Sequence, residues 1–507
     1  MSTEGGHEYS VQDYRLADFK LLLPLGKGVR VLVTELQDDA FLDHLAGEVG
    51  SIDKVSCQPT REKRSGESDA SGRERTLAQP EGFYDLILTN NPSASQHLRP
   101  GGTLCLFFDH PPEAAPDGLT PTGRWCAYPG WPAFRVLIPD HPAGWRSAVQ
   151  SFRIFPSRSM AGLCTRIFPG LARWFAPSCG IAIYRRAYNG QTQDDNILSL
   201  LDRSLCASLH SEWPGFNPDA WTLVSGRQGE GNPILAFNMD SKGYPRRLLK
   251  AARYAEGQHL ALEATQLRQI EEALGSRLGE RVIRPTASTQ VDGRWALAYE
   301  FVPTSPFQGL RWRLLGRARF CMAMAEWLAQ VGCMTRRQDS IEAIHQHHLQ
   351  PLERLLSRTV LPPEAQAMAQ AAYQRLEQQS ERIPTILEHG DLGIYNIRLT
   401  AADGSDFRVI DWGSSTFTGI PLGDLAYLLT SARAPQSLAV SCLKRYLRMM
   451  ELEVTDALGL WFCYLSRRWE ELDQIRPVDP LDPSSGGGIL LPVHARVVDY
   501  LQATASP

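Results

Sequence analysis

One stretch constrains this chain more than any other: Glu388-His389-Gly390-Asp391-Leu392-Gly393-Ile394-Tyr395-Asn396-Ile397, followed shortly by Phe407-Arg408-Val409-Ile410-Asp411-Trp412-Gly413. The apolar run Arg408 to Ile410 reads as a strand that delivers an acid at its end, while the upstream loop supplies a second acid and, five positions later, a carboxamide. A fold that accommodates both strings must bring a loop and a strand end together. Oxygen donors of this kind suit Mg²⁺, which keeps room for waters and phosphates in its shell.

A chain of 507 residues exceeds what one hydrophobic core supports, so at least two domains are expected. With 52 basic and 56 acidic side chains interspersed, the net charge of −4 gives no electrostatic footprint for nucleic acid or an anionic membrane. The ten cysteines are scattered without a CxxC pair, which argues against a zinc site or a redox motif. No basic-then-apolar leader opens the chain and no uncharged apolar run is long enough to span a bilayer, so a cytoplasmic protein is expected.

The first folded stretch opens with the β-branched run Val29 to Thr34, followed by a helical pattern over Asp39 to Ala46. Residues 58–80 are rich in Arg, Glu, Ser and Gly and read as a solvated loop or flexible insertion. Tyr84 to Leu88 and Pro100 to Phe108 are compact apolar runs, each suited to a parallel strand covered on both faces. Cys179 to Tyr184 gives a further strand before the polar run 189–195, which marks a domain boundary. Between about 120 and 178, no pattern assigns elements.

The string His-Gly-Asp-x-x-x-x-Asn at 389–396 with Ile410-Asp411-Trp412 resembles the aminoglycoside-phosphotransferase and choline-kinase family, relatives of the protein kinases. The resemblance implies that Asp391 is the catalytic base and that Asn396 and Asp411 hold Mg²⁺. It makes His389 a brace of the catalytic loop. Gly419 to Ala426 is similar to the family's Gly-x-x-x-x-Asp-Leu-Ala signature, in which Asp424 fixes that loop. Upstream, Lys250 on a predicted strand and Glu263 on the predicted helix His259 to Leu274 are the expected pair that grips the ATP phosphates. Gly226, Gly229 and Gly231, between two apolar runs, are expected to let backbone amides approach the phosphates. The segment Ala296 to Pro303 looks like the family's hinge, its backbone near Glu300 and Val302 bonding adenine.

The N-terminal runs, with "YDLIL" and "LRPGG", resemble a class I methyltransferase, but the glycine-rich turn that normally follows the first strand is replaced by Thr34-Glu35-Leu36-Gln37-Asp38-Asp39. The expected fold is therefore an α/β Rossmann-like, methyltransferase-like domain over 1–190, degenerate and not expected to bind S-adenosylmethionine, plus an α+β bilobal protein-kinase-like domain. The lobes of the latter are placed at 195–303 and, helical, at 304–507. The expected function is ATP- and Mg²⁺-dependent phosphorylation of a hydroxyl on a small molecule, sugar or glycan. Trp412, Trp461 and Trp469 are read either as an acceptor-stacking wall or as core packing. Two other readings stand beside this one: a turnover-deficient scaffold built from both domain types, and a bifunctional methyltransferase and kinase acting on a glycan.

Overall fold

The computed structural model describes residues 14–35, 42–55, 74–77, 82–128, 135–141, 144–145, 179–188, 196–209, 217–225, 232–255, 257–303, 316–338, 344–357, 363–379, 382–401 and 403–475. The glycines at 226, 229 and 231 lie outside them. The chain divides into two compact units, residues 1–261 with 285–301, and residues 262–284 with 302–507.

The first unit is organised on one 13-stranded sheet. Its strands are β1 (Arg30–Thr34), β2 (Ser51–Val55), β3 (Glu74–Leu77), β4 (Tyr84–Thr89), β5 (Leu98–Phe108), β6 (Leu119–Tyr128), β7 (Val136–Pro139), β8 (Gly180–Arg186), β9 (Trp221–Val224), β10 (Ile234–Met239), β11 (Pro245–Ala251), β12 (Ala287–Val291) and β13 (Arg294–Glu300). The spatial order is β12-β13-β11-β10-β9-β7-β6-β8-β5-β4-β1-β2-β3. β3, β2, β1, β4 and β5 run parallel, and the strands from β8 across to β12 join by antiparallel ladders.

Alternate residues of the parallel strands enter two cores. Val31, Val33, Leu86, Leu88, Cys105 and Phe107 pack on one face, while Leu32, Ile87, Leu104 and Leu106 pack on the other. Continuous apolar runs are what a strand buried on both faces requires, and the expected parallel pairing of the 84–88 and 100–108 segments is present in β4 and β5. The solvated-loop reading of 58–80 is corrected at 74–77, where β3 pairs with β2 in the register Ile52 to Glu74. An edge strand has only one ladder neighbour, so this one forms with little apolar patterning in Glu-Arg-Thr-Leu.

The junction expected near 190 falls inside this sheet. β7 pairs with β9 through Val136 to Val224 and Leu137 to Leu223. Phe19, Val31 and Trp125 share one core with Trp221, Leu249 and Ala296. A buried ionic cluster joins the same parts: Arg253 donates to both oxygens of Asp18 at 2.7 and 2.9 Å, both side chains being fully buried. Lys20 pairs with Glu48 at 2.6 Å, and Arg294 also pairs with Glu48. Burial lowers Lys20 to about 8, against the opposing pull of Glu48.

Helices α1 (Leu42–Ala46) and α2 (Ile197–Ser208) belong to the first unit, and α3 (His259–Gly279) begins there and continues in the second. The second unit holds α4 (Arg317–Thr335), α5 (Gln350–Ser357), α6 (Pro363–Gln379), α7 (Gly423–Ser431), α8 (Gln436–Met450) and α9 (Val454–Ile475). Its strands are β14 (Ile386–Glu388), β15 (Ile397–Leu399), β16 (Phe407–Val409) and β17 (Thr416–Gly419), paired β14 with β17 and β15 with β16. On α8 the buried residues are Ala439, Cys442, Leu443, Tyr446, Leu447 and Met450, an i, i+3, i+4 stripe that packs against α4. Trp412 and Trp461 are buried in this core, which settles them as packing residues. The side chain of Trp469 is outside the description.

Candidate active site

The two short strand pairs of the second unit place the two acid-bearing strings side by side. β14 ends on Glu388 and releases the chain into the loop His389 to Gly393; β16 ends at Val409, and Ile410 donates from its amide to the carbonyl of Asn396 at 3.0 Å. At Gly390 the loop turns through φ of +81°, and a Cβ there would lie 2.5 Å from the Ser414 carbonyl oxygen. Only glycine meets both demands at once.

The loop backbone is clamped from behind. Asp424, in the first turn of α7, accepts from the His389 amide at 2.6 Å and from the Gly390 amide at 3.1 Å. His389 is buried, and its Nε2 lies 2.9 Å from the carbonyl of Ile410, with its ring 4.6 Å from that of Trp412. It thus ties the loop to the Asp411 turn and faces away from solvent, as a bracing residue would. Ser431 accepts from the Ile394 amide at 3.0 Å.

Asp391, half-buried, is held by Asn396, whose Nδ2 donates to the Asp391 carbonyl at 2.8 Å and to its Oδ2 at 3.0 Å. The other oxygen, Oδ1, accepts from the Tyr395 hydroxyl at 3.4 Å. With Nδ2 donating to Asp391, the side-chain Oδ1 of Asn396 is the atom that could face a cation. Asp411 is exposed in a left-handed turn with φ of +67°, and its charge opposes the effect of burial that lowers the pKa of Arg398. A carboxamide oxygen and a carboxylate are hard oxygen donors of the kind Mg²⁺ takes from a protein when water and phosphate complete its shell, so the donor chemistry of these two residues suits that ion.

Glu263 is buried on α3, where a Cβ on Gly413 would lie 3.9 Å from its Oε2. Gln266, on the same helix, donates to the Ser415 carbonyl at 3.0 Å. Lys250 lies in the first unit, buried on β11 between Leu235 and Leu297, with its ammonium 5.6 Å from the Tyr299 ring centre. Glu300 closes β13 with an exposed side chain, and Val302 follows half-buried.

Sequence reasoning passed over three residues here. Arg467 on α9 makes a fork to both oxygens of Glu388 at 3.0 and 2.9 Å, directly behind the loop. Tyr395 flanks Asp391. Glu388 adjoins His389 in the string, but nothing local points it at an arginine 79 positions on. Burial, reinforced by Glu388, pushes Asp424 up to about 8, while the two amides and Arg467 pull the other way.

Among the described residues no helix is long and apolar enough to cross a membrane. No protein-family model matches the chain, and no curated protein does. Several solved structures are similar to it. The GDP complex of an aminoglycoside 2'-phosphotransferase-IIIa mutant is 13% identical with a TM-score of 0.38, over 55% of this chain and 92% of that one. Aminoglycoside phosphotransferase APH(3'')-Id from Streptomyces rimosus, with ADP and streptomycin, is 17% identical with a TM-score of 0.30, over 47% and 94%. A thermostable mutant of APH(4)-Ia, with ADP and hygromycin B, is 14% identical with a TM-score of 0.34, over 61% and 99%. At these identities and scores the likenesses carry no argument about chemistry, which rests on the geometry above.

Proposed function

We propose that the chain is an ATP- and Mg²⁺-dependent phosphotransferase that phosphorylates a hydroxyl of a small-molecule or carbohydrate acceptor, with a protein-kinase-like arrangement over its second half. The observation that carries this reading is the held carboxylate of Asp391. One oxygen accepts from Asn396, the other has the Tyr395 hydroxyl 3.4 Å away, the residue is half-buried, and the loop backbone is held by Asp424. A carboxylate so placed accepts the proton of an incoming hydroxyl and aims that hydroxyl at a phosphorus, which is most of what phosphoryl transfer asks of a protein.

Asn396 and Asp411 would hold the Mg²⁺, which when bound neutralises phosphate charge. Lys250 is assigned to the α and β phosphates and Glu263 to holding that lysine. The backbone at Glu300 and Val302 is assigned to adenine, and Gly226, Gly229 and Gly231 to the phosphate-covering loop. A cytoplasmic setting completes the proposal. The purified protein, given ATP labelled in the γ-phosphate and a metabolite extract, is expected to yield a labelled product that Asp391→Ala and Asp411→Asn do not make. Loss of about 10²-fold or more marks a general base, and equal yields from Asp391→Ala and the parent would sink the assignment.

For the N-terminal part, the parallel order β3-β2-β1-β4-β5 supports a Rossmann-like layer, and such layers bind ligands beyond the carboxyl ends of their central strands. Here those ends are laced together. Thr34 and Thr89 share a 2.8 Å hydrogen bond, the Asn91 amide donates to the Thr89 hydroxyl at 2.9 Å, and the Asn91 side chain donates to Glu35 at 2.9 Å. Groups that a ligand would need are spent on one another, which favours a degenerate layer that serves architecture. Titration calorimetry with S-adenosylmethionine is expected to show no heat of binding; a saturable signal would favour the bifunctional reading instead.

A further inference from the structure

We infer that Tyr395 is the specificity-determining residue of this site, the surface against which the acceptor's ring stacks while its hydroxyl reaches Asp391. The inference rests on the phosphotransfer reading and adds to it the residue that selects the acceptor.

The argument begins from the two oxygens of Asp391. Asn396 already donates to Oδ2 at 3.0 Å, so Oδ1, which carries no amide bond, is taken as the oxygen that the acceptor hydroxyl approaches. The Tyr395 hydroxyl already stands 3.4 Å from Oδ1, a separation too long for a strong bond but short enough to fix where the phenol lies. Any acceptor that hydrogen-bonds to Oδ1 therefore rests beside this ring. Tyr395 keeps 42% of its surface exposed, an unusual exposure for a large aromatic side chain next to a buried loop.

The ring is also held still. It folds back over its own loop, so that a Cβ at Gly393 would collide with it. Its backbone carbonyl accepts from Arg398 at 3.1 Å, and the preceding amide is tied to Ser431. Tyr427, on α7, meets it edge to face with ring centres 6.2 Å apart. The Tyr427 hydroxyl in turn accepts from Arg468 at 2.9 Å, with the guanidinium 4.4 Å from the Tyr427 ring centre. A braced aromatic plane beside a base selects molecules that present a flat, C–H-rich face next to the reacting hydroxyl. Cyclic polyols and sugars have such a face, and short acyclic alcohols do not.

The test uses the full-length protein with Mg²⁺, γ-labelled ATP and a metabolite extract, followed by kinetics on the purified acceptor. The acceptor is expected to carry its hydroxyl on or next to a ring. In Tyr395→Ala its KM is expected to rise by about tenfold, as loss of an aromatic stack allows, with a much smaller change in kcat. Tyr395→Phe and Tyr395→Trp, which keep a ring, are expected to keep KM within about threefold of the parent. Transfer only to acyclic acceptors, an unchanged KM in Tyr395→Ala, or a Phe variant as impaired as the Ala variant overturns the inference and leaves the phosphotransfer reading intact. A parent protein that labels nothing overturns both.

Discussion

At Asp424 two backbone amides and a neighbouring guanidinium favour the ionised carboxylate, while burial and the charge of Glu388 oppose it, and the opposition wins. The group rises from its ordinary 3.8 to about 8. Between those values the native chain holds a proton that the unfolded chain releases, so this group's contribution to stability is fullest at the acid end. It is lost as pH rises through about 8. The expected outcome is a difference in melting temperature, parent minus Asp424→Asn, that falls steadily from about pH 5 to about pH 9, because asparagine cannot follow the titration. Differential scanning fluorimetry across that range checks it, and a flat difference would refute the raised carboxyl. The comparison of slopes also removes the constant cost of capping two amides with a carboxamide, which has only one acceptor.

The elements that carry the site were legible to different depths. β1, β4, β5, β8, β11 and α3 announce themselves through period and apolar runs, and the Asp391 loop through its own string. What local pattern does not encode is which distant side chain meets a buried one. Glu388 is the clear case. At 3% side-chain exposure it requires a partner, and the partner comes from α9, a helix whose sequence shows only ordinary amphipathic spacing. The same limit hid β7, whose Val-Leu-Ile-Pro is too short to stand out from the Pro- and Trp-rich stretch around it.

The Glu388–Arg467 fork therefore makes a prediction at the scale of the element: α9 is fastened to the start of the Asp391 loop by an ion pair whose carboxylate is buried. Arg467→Met leaves an unpaired buried carboxylate and is expected to cost about 3 kcal/mol in urea unfolding. Adding Glu388→Gln removes that charge and should recover a large part of the loss. A double-mutant cycle in which the two effects simply add would show that the pair does not couple the helix to the loop.

Across the whole first unit, the consequence of a single sheet is that the segment before residue 190 and the strands after 220 stabilise one another. The polar run 189–195 looked like a boundary because it is solvated in composition, and composition says nothing about hydrogen bonds that close later in the chain. β7 and β9 close them, and the shared core and the Asp18–Arg253 pair reinforce the closure. A fragment comprising residues 195–507 would keep β9 to β13 but lose the ladder on the β9 edge, exposing a strand that carries buried Trp221 and Leu223. It would also keep Arg253, fully buried in the intact chain, without Asp18. Stranding a buried charge costs about 3 to 5 kcal/mol, a large share of the 5 to 15 kcal/mol that typically separates a folded domain from its unfolded chain. The fragment is accordingly expected to aggregate or to leave β9 to β13 unprotected, whereas the intact chain protects them. Size-exclusion chromatography with hydrogen exchange read on those strands decides between them, because the second unit is kept whole in the fragment and can melt by itself. A monomeric fragment that protects β9 to β13 would mean that the strands after residue 220 fold without the sheet that extends them.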